Sequence, residues 1–337
     1  MALSETYQTP ATLAAALIDQ PSVTGSEARI LEFIEDRLRD LGCTTEREYI
    51  GEQRWNLYGN WTSHAAIVFC THVDTVPPHL PSRVQDGVLF GRGACDTKGI
   101  IAAMLFAAER LQSEGVIPAF LFVVGEETDS IGAKTAARSG KSADYIIVGE
   151  PTENVLASGH KGALSYTLRI QGSAAHSAYP EHGSSAIHSL LDVLSDLRGH
   201  DWGRHDLLGP ATLNVGILEG GIAMNTLAPT AMARVMHRIV DDVETRKSQV
   251  VELIGGRAEV KFHSVSQPQI LTVPEGFIAK PVAFGTDIPY LCHMGRCLLC
   301  GPGSIHDAHT STECITFAAM DEAIELYLRL HRALRTS

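Results

Sequence analysis

Four short apolar runs constrain this chain more than any other feature, because each stops abruptly beside histidine or carboxylate residues. Ile67-Val68-Phe69-Cys70 passes through Thr71 into His72-Val73-Asp74. Ala119 to Val124 ends in Gly125-Glu126-Glu127, and Tyr145 to Val148 ends in Gly149-Glu150-Pro151. Arg296 to Cys300 runs into Gly301 and a stretch carrying His306, Asp307 and His309. Runs this short and this uniformly apolar read as strands covered on both faces, as in a parallel sheet. Helical patterns alternate with them. Glu27 to Leu41 places Ile30, Leu31, Ile34, Leu38 and Leu41 at helical spacing and stops at Gly42; Gly99 to Glu114 is closed by Gly115; Glu313 to Arg335 follows the last run. That alternation implies a parallel-type α/β domain. Ligands in such sheets gather beyond the carboxyl ends of the strands, so four strand ends bearing His, Asp or Glu point to one site.

A length of 337 residues exceeds the usual single core and favours two domains. The middle of the chain supplies the second. Tyr166–Ile170 reads as a strand, Ser184–Leu197 as a helix, Thr212–Leu218 and Ala231–Ile239 as strands, Val243–Ile254 as a helix and Ala258–Phe262 as a strand. That β-α-β-β-α-β order is the ferredoxin-like arrangement. The expected division is a catalytic domain of residues 1–160 and 268–337, with a smaller α+β domain, 161–267, inserted. Residues 77–90, with Asp86-Gly87, read as loop and turn.

Composition removes several classes. A formal charge of −12 without a basic cluster argues against nucleic acid. No apolar run approaches the roughly 18 to 20 residues needed to span a bilayer, and the first residues lack the pattern of a signal peptide. The seven cysteines, several inside apolar runs, suit buried thiols in a reducing cytoplasm. Cys292, Cys297 and Cys300 have a spacing that resembles part of an iron–sulfur site, but Leu298-Leu299 between the last two favours a buried strand. No phosphate-binding loop or serine-hydrolase elbow is present.

The candidate ligands are therefore His72, Asp96, Glu127, Glu150 and one of His306 and His309. Asp96 enters with Gly91-Arg-Gly-Ala-Cys-Asp96-Thr-Lys-Gly99, a glycine-hinged turn ahead of a helix. Imidazole with carboxylate suits zinc or a neighbouring first-row metal rather than calcium or magnesium. Five ligands exceed one tetrahedral zinc, whereas two metals sharing a carboxylate would use them all. Asp74 is placed to accept a hydrogen bond from His72 and fix its tautomer. Adjacent side chains diverge, so one of Glu126 and Glu127 can bind metal while the other takes a proton from water and passes it to a leaving amine.

These motifs resemble the M20 family of co-catalytic zinc amidohydrolases and peptidases over nearly the whole chain. The matching stretches are Thr71–Pro77, Gly91–Gly99, Gly125–Glu127, Gly149–Thr152, His160–Gly162, Gly172…His176…Pro180 and Gly221…Asn225…Pro229. Within the family the chain looks most like the acetylornithine deacetylase and succinyl-diaminopimelate desuccinylase branch, and Phe284–Pro289 and Gly301…Ala308-His309…Glu313 lean towards acetylornithine deacetylase. By position, the resemblance implies His72 and Glu150 at one Zn2+, Glu127 and His309 at the other, and Asp96 bridging, with Co2+ or Mn2+ as substitutes. It implies Glu126 as general acid/base, with Asp74 also in the catalytic set. It further implies a homodimer through the inserted domain, His176 reaching the partner's site to stabilise the oxyanion, and Asn225 and Arg238 facing substrate. Met236-His237 departs from the family pattern ahead of Arg238, and the loops around 42–62 and 265–285 are short.

The expected activity is cytoplasmic hydrolysis of a small N-acyl amino acid, foremost N-acetyl-L-ornithine to L-ornithine and acetate in arginine biosynthesis. Alternatives within the chemistry are N-acetylcitrulline, N-succinyl-diaminopimelate, an acyl-lysine or a dipeptide as substrate. A non-catalytic amino-acid or peptide binder is the alternative of another class, and a single structural metal would be the remaining one.

Overall fold

The structure is a computed structural model that describes residues 6–335. The chain forms two compact units. One comprises the residues up to Ser158 with Leu271–Lys280 and Thr286 onward; the other is Gly159–Ile270 with Pro281–Gly285. The second unit begins ahead of residue 161 because Gln269 and Ile270 pair antiparallel with His160 and Gly159.

In the first unit a six-stranded sheet has the order Thr45–Gly51, Arg54–Gly59, Ala119–Val123, His64–His72, Ser142–Val148, Arg296–Leu299. The last four strands are parallel; the first two add antiparallel, so the sheet is mixed. Those two antiparallel strands are the elements that the apolar runs do not reveal. Thr45–Gly51 is only half covered, and its side chains are held by polar pairings such as Arg47 with Glu35 and Glu48 with Tyr58.

Helix Gly99–Ser113 is buried along both of its faces from Gly99 to Ala108, the pattern of a helix inside a core rather than on its surface. It packs against helix Phe317–Arg335. Residues Arg83–Gln85 and Val88–Phe90 form a hairpin, where sequence suggested loop, with Asp86 and Gly87 both at positive φ, as a two-residue Asp-Gly turn requires. Cys314–Thr316 adds to it as a third strand, which is why the terminal helix starts at Phe317 and not at Glu313.

In the second unit the elements follow the order strand, helix, strand, strand, helix, strand. The antiparallel sheet runs Thr212–Gly220, Thr230–Ile239, Gly162–Gln171, Glu259–Ser266. Helices Ala186–Gly199 and Val243–Ile254 cover a core of Leu164, Tyr166, Leu168, Leu190, Val193 and Val235. No helix among the described residues is long and apolar enough to cross a membrane.

Candidate metal centre

The parallel strands of the first unit all point their carboxyl ends the same way, and the singled-out residues lie there. His72 is the last residue of its strand; Glu126 and Glu127 follow Ala119–Val123; Glu150 follows Ser142–Val148; His309 lies in the loop after Arg296–Leu299. Asp96 arrives on the turn before helix Gly99–Ser113. Two glycines are required by this geometry. Gly93 has φ +88° with a Cβ position only 2.8 Å from the Lys98 side chain, and Gly125 has φ +79° with a Cβ position 2.9 Å from Ile131.

Two triads result. His72, Asp96 and Glu150 present ligand atoms within 4.8 Å of one another, and so do Asp96, Glu127 and His309. Asp96 belongs to both. Its Oδ1 is 3.0 Å from His72 Nε2 and its Oδ2 is 3.4 Å from His309 Nε2. His309 Nε2 is also 2.9 Å from Glu127 Oε1. His306 is exposed and joins neither triad. Among the described residues the cysteines form no such cluster.

Asp74 differs from expectation. The Asp74 backbone carbonyl, at 2.9 Å, accepts the hydrogen bond from His72 Nδ1, while the nearer carboxylate oxygen is 3.7 Å away. The tautomer is fixed, with Nε2 left for the site, but by the main chain. The fully buried carboxylate instead accepts from the amides of Gly125 (2.9 Å), Glu126 (3.1 Å) and Glu127 (3.2 Å) and from the Thr24 hydroxyl (2.7 Å). The Asp74 side chain lies closest to the facing turn, with the ring two residues back at a longer distance. Asp74 thus orders the turn that carries both glutamates.

Electrostatics set these groups apart. Burial, reinforced by Asp287, Glu127 and Asp96 and offset in part by His72, raises the Glu126 carboxyl well above the ordinary range. Burial likewise raises Glu150. For His72 burial works the other way, but the Asp74 and Asp96 carboxylates outweigh it and hold the imidazole well above its usual value. His309, beside Asp96 and Glu127, is pushed up to about 10. The site therefore gathers more carboxylate than imidazole in a covered place, and divalent cations are the natural counter-charge. Nitrogen and oxygen donors in two triads fit a pair of first-row ions sharing Asp96.

Asp287 is a member that sequence reasoning missed. It is buried, its carboxylate oxygens form no hydrogen bond of normal geometry, and burial, offset by the Ser130 hydroxyl, pushes it up to about 6. The one signal was its place in Phe284-Gly-Thr-Asp287-Ile-Pro289.

The remaining candidates lie in the second unit. His176 and Asn225 are exposed on adjoining loops, tied by a bridge between His176 and Thr226 and by the Ser177 amide donating to the Asn225 carbonyl at 2.9 Å. Arg238 is half-buried near Gly285, His160 and Lys161. It sits towards the Ile239 end of strand Thr230–Ile239, whereas the Asn225 loop precedes the Thr230 end. Arg238 lies eight positions along the strand from Thr230, about 26 Å at the usual rise. Within one chain His176 and Arg238 do not converge.

Comparison with known proteins comes to the same place. The model of peptidase family M20/M25/M40 matches residues 68–333. A peptidase M20 domain-containing protein of Schizosaccharomyces pombe is 38% identical over 330 residues, covering 94% of this chain and 82% of that protein. A probable carboxypeptidase of Aspergillus clavatus is 33% identical over 354 residues, covering 92% and 85% respectively. Among solved structures, a tripeptidase from Staphylococcus aureus has a TM-score of 0.82 at 22% identity, covering 98% of this chain and 99% of that one. A dipeptidase from Saccharomyces cerevisiae has a TM-score of 0.76 at 14% identity, covering 99% and 97%. At those identities the two structures establish a shared fold.

Proposed function

The chain belongs to peptidase family M20/M25/M40, and from that premise we propose that it hydrolyses the amide bond of a small N-acyl amino acid with two divalent cations, Zn2+ foremost. One observation carries this reading: two ligand triads share Asp96 while Glu126, adjacent to Glu127, stays outside both. His72, Asp96 and Glu150 would hold one cation, and Asp96, Glu127 and His309 the other. When bound, such ions polarise the scissile carbonyl and acidify water.

The chain's own groups do the rest. Glu126 takes the proton of the attacking water and returns it to the leaving nitrogen, so that amide and water become carboxylate and amine. Asp74 keeps Glu126 and Glu127 in register through their amides. Arg238, with Lys161 near it, offers a cationic place for the substrate carboxylate. His176 would stabilise the oxyanion from a second chain, and Asn225 would face substrate beside it. The separation of His176 from Arg238 supports a homodimer through the second unit, read here as an inserted ferredoxin-like module. On this reading one substrate would meet both residues when two chains supply them.

N-acetyl-L-ornithine is the substrate favoured by the sequence motifs. The probable carboxypeptidases among the relatives favour a second reading, a short peptide cleaved at its C-terminal residue; both substrates have a free carboxylate beside the amide. The test is a panel of N-acyl amino acids and dipeptides with Zn2+ restored. Acetate release from N-acetylornithine, lost in Glu126→Ala, is the expected result. No turnover of any member above that variant would refute the hydrolase reading, and turnover of dipeptides alone would move the substrate to the second.

A further inference from the structure

The loop that delivers His309 continues into Glu313, a carboxylate that the proposed chemistry does not use. Glu313 is 1% exposed and Arg92 is 2% exposed. Arg92 Nη1 donates to Glu313 Oε2 at 2.6 Å. The other oxygen, Oε1, accepts from the backbone amides of Cys95 at 3.3 Å and Asp96 at 3.2 Å. The Glu313 main-chain carbonyl accepts from the Gly91 amide at 3.0 Å. Immediately beyond, Cys314–Thr316 pairs with Val88–Phe90. Both ends of the turn from Gly91 to Asp96 are thus referred to one side chain and its own backbone.

We propose that Glu313 is a positioning residue that fixes the main chain under Asp96, and with it the carboxylate shared by the two triads. The proposal rests on the two-cation reading above. Asp96 has no freedom to spare, since its two oxygens must serve His72 on one side and His309 on the other. His309 and Glu313 stand only four positions apart, so the ligand of one triad and the anchor of the shared carboxylate lie on one short segment. Arg92 keeps the anchor oriented. A buried guanidinium needs an anion, and two amides need an acceptor; Glu313 serves both.

The test separates acceptor from charge. Arg92→Leu/Glu313→Gln keeps a carbonyl oxygen for the two amides without burying an unpaired charge. Arg92→Leu/Glu313→Leu has the same charge content and no acceptor. Co2+ titrations followed by visible absorption, on metal-free proteins whose circular dichroism matches wild type, read the affinity of each cation. The glutamine variant is expected to bind two Co2+ within a few-fold of wild type. The leucine variant is expected to lose about 10- to 100-fold in affinity for the second ion, the usual effect of removing an outer support, with kcat lowered and KM unchanged. Two ions bound at wild-type affinity by the leucine variant would overturn the proposal, as would equal weakening in both. If the leucine variant does not fold, Arg92→Leu/Glu313→Met, which has nearly the length of glutamine without its carbonyl, gives the reading: weakened second-ion binding supports the proposal and unchanged binding overturns it. A wild-type protein that takes up one Co2+ would instead overturn the two-cation reading itself.

Discussion

His72 and His237 are both buried in strands, yet their surroundings shift their imidazoles in opposite directions. His72 ends a parallel strand in the first unit among carboxylates, which hold its imidazole well above the usual value against the pull of burial. His237 lies inside an antiparallel strand of the second unit, its Nε2 3.0 Å from the Tyr166 hydroxyl and its ring 4.4 Å from Trp202. Its Nδ1 has no hydrogen-bond partner in the described structure, and burial, aided by Arg246, lowers it to about 4. Burial alone makes an imidazole neutral; a ring of carboxylates at a strand end reverses that and creates a place for cations. One unit gathers carboxylates around its buried imidazole, while the other sets a tyrosine, a tryptophan and the Arg246 cation around its own.

Removing cations should therefore divide the units most sharply. Chelation is expected to abolish activity, with recovery on adding Zn2+, Co2+ or Mn2+. The first unit should also become less stable, by about 4 kcal/mol when a cation had been present at a thousand times its dissociation constant. Hydrogen exchange resolves this by region: faster exchange in strands 64–72 and 142–148 with strands 162–171 and 230–239 unchanged is the expected pattern. Uniform loosening of both would break the comparison.

Replacing the proton carrier comes next. Glu126→Gln is expected to lower kcat by about 10²- to 10⁴-fold while the metal content, measured by elemental analysis, stays at the wild-type value. Loss of metal together with activity would make Glu126 a ligand instead.

Acid should strike the second unit through His237. Its folded pKa of about 4 lies below the 6.5 of an ordinary imidazole, so the unfolded chain binds more protons between those values and stability falls as pH drops from 6.5 to 4. The loss is about 3 kcal/mol at full effect. His237→Phe should flatten this part of a denaturant-midpoint series against pH; an unchanged slope would show that the ring does not govern it. Smaller again, Asp74→Asn keeps an acceptor but turns an NH2 towards one of the three amides. It should cost about 1–3 kcal/mol of local order, seen as faster exchange of the Gly125–Glu127 amides with His72 unaffected. Faster exchange at His72 instead would restore the imidazole as the main partner of the carboxylate.

Much of this was legible because the first unit announces itself in apolar runs with polar ends. His72, Glu127 and Glu150 could be placed from period and punctuation, and Asp96 from the glycines that bend its turn. Other features depend on contacts far along the chain. The Asp74 carboxylate is read by amides 51 to 53 positions away, and Glu313 reaches Arg92 across 221; no local pattern encodes either. Strand Thr45–Gly51 is hidden by its charged side chains, and the hairpin at Asp86-Gly87 by short arms. Asp287 follows no period at all, since its distinction is burial beside groups distant in the chain, Asp74 and Ser130 among them.

The account turns on Asp96 as the shared carboxylate. The most direct test is a crystal structure of Zn2+-loaded protein, with anomalous scattering to count the ions. Two ions per chain, one on each Asp96 oxygen, with His72 and Glu150 on one side and Glu127 and His309 on the other, is the expected result. A single ion at saturation, or two ions with Asp96 bound to only one, would contradict it.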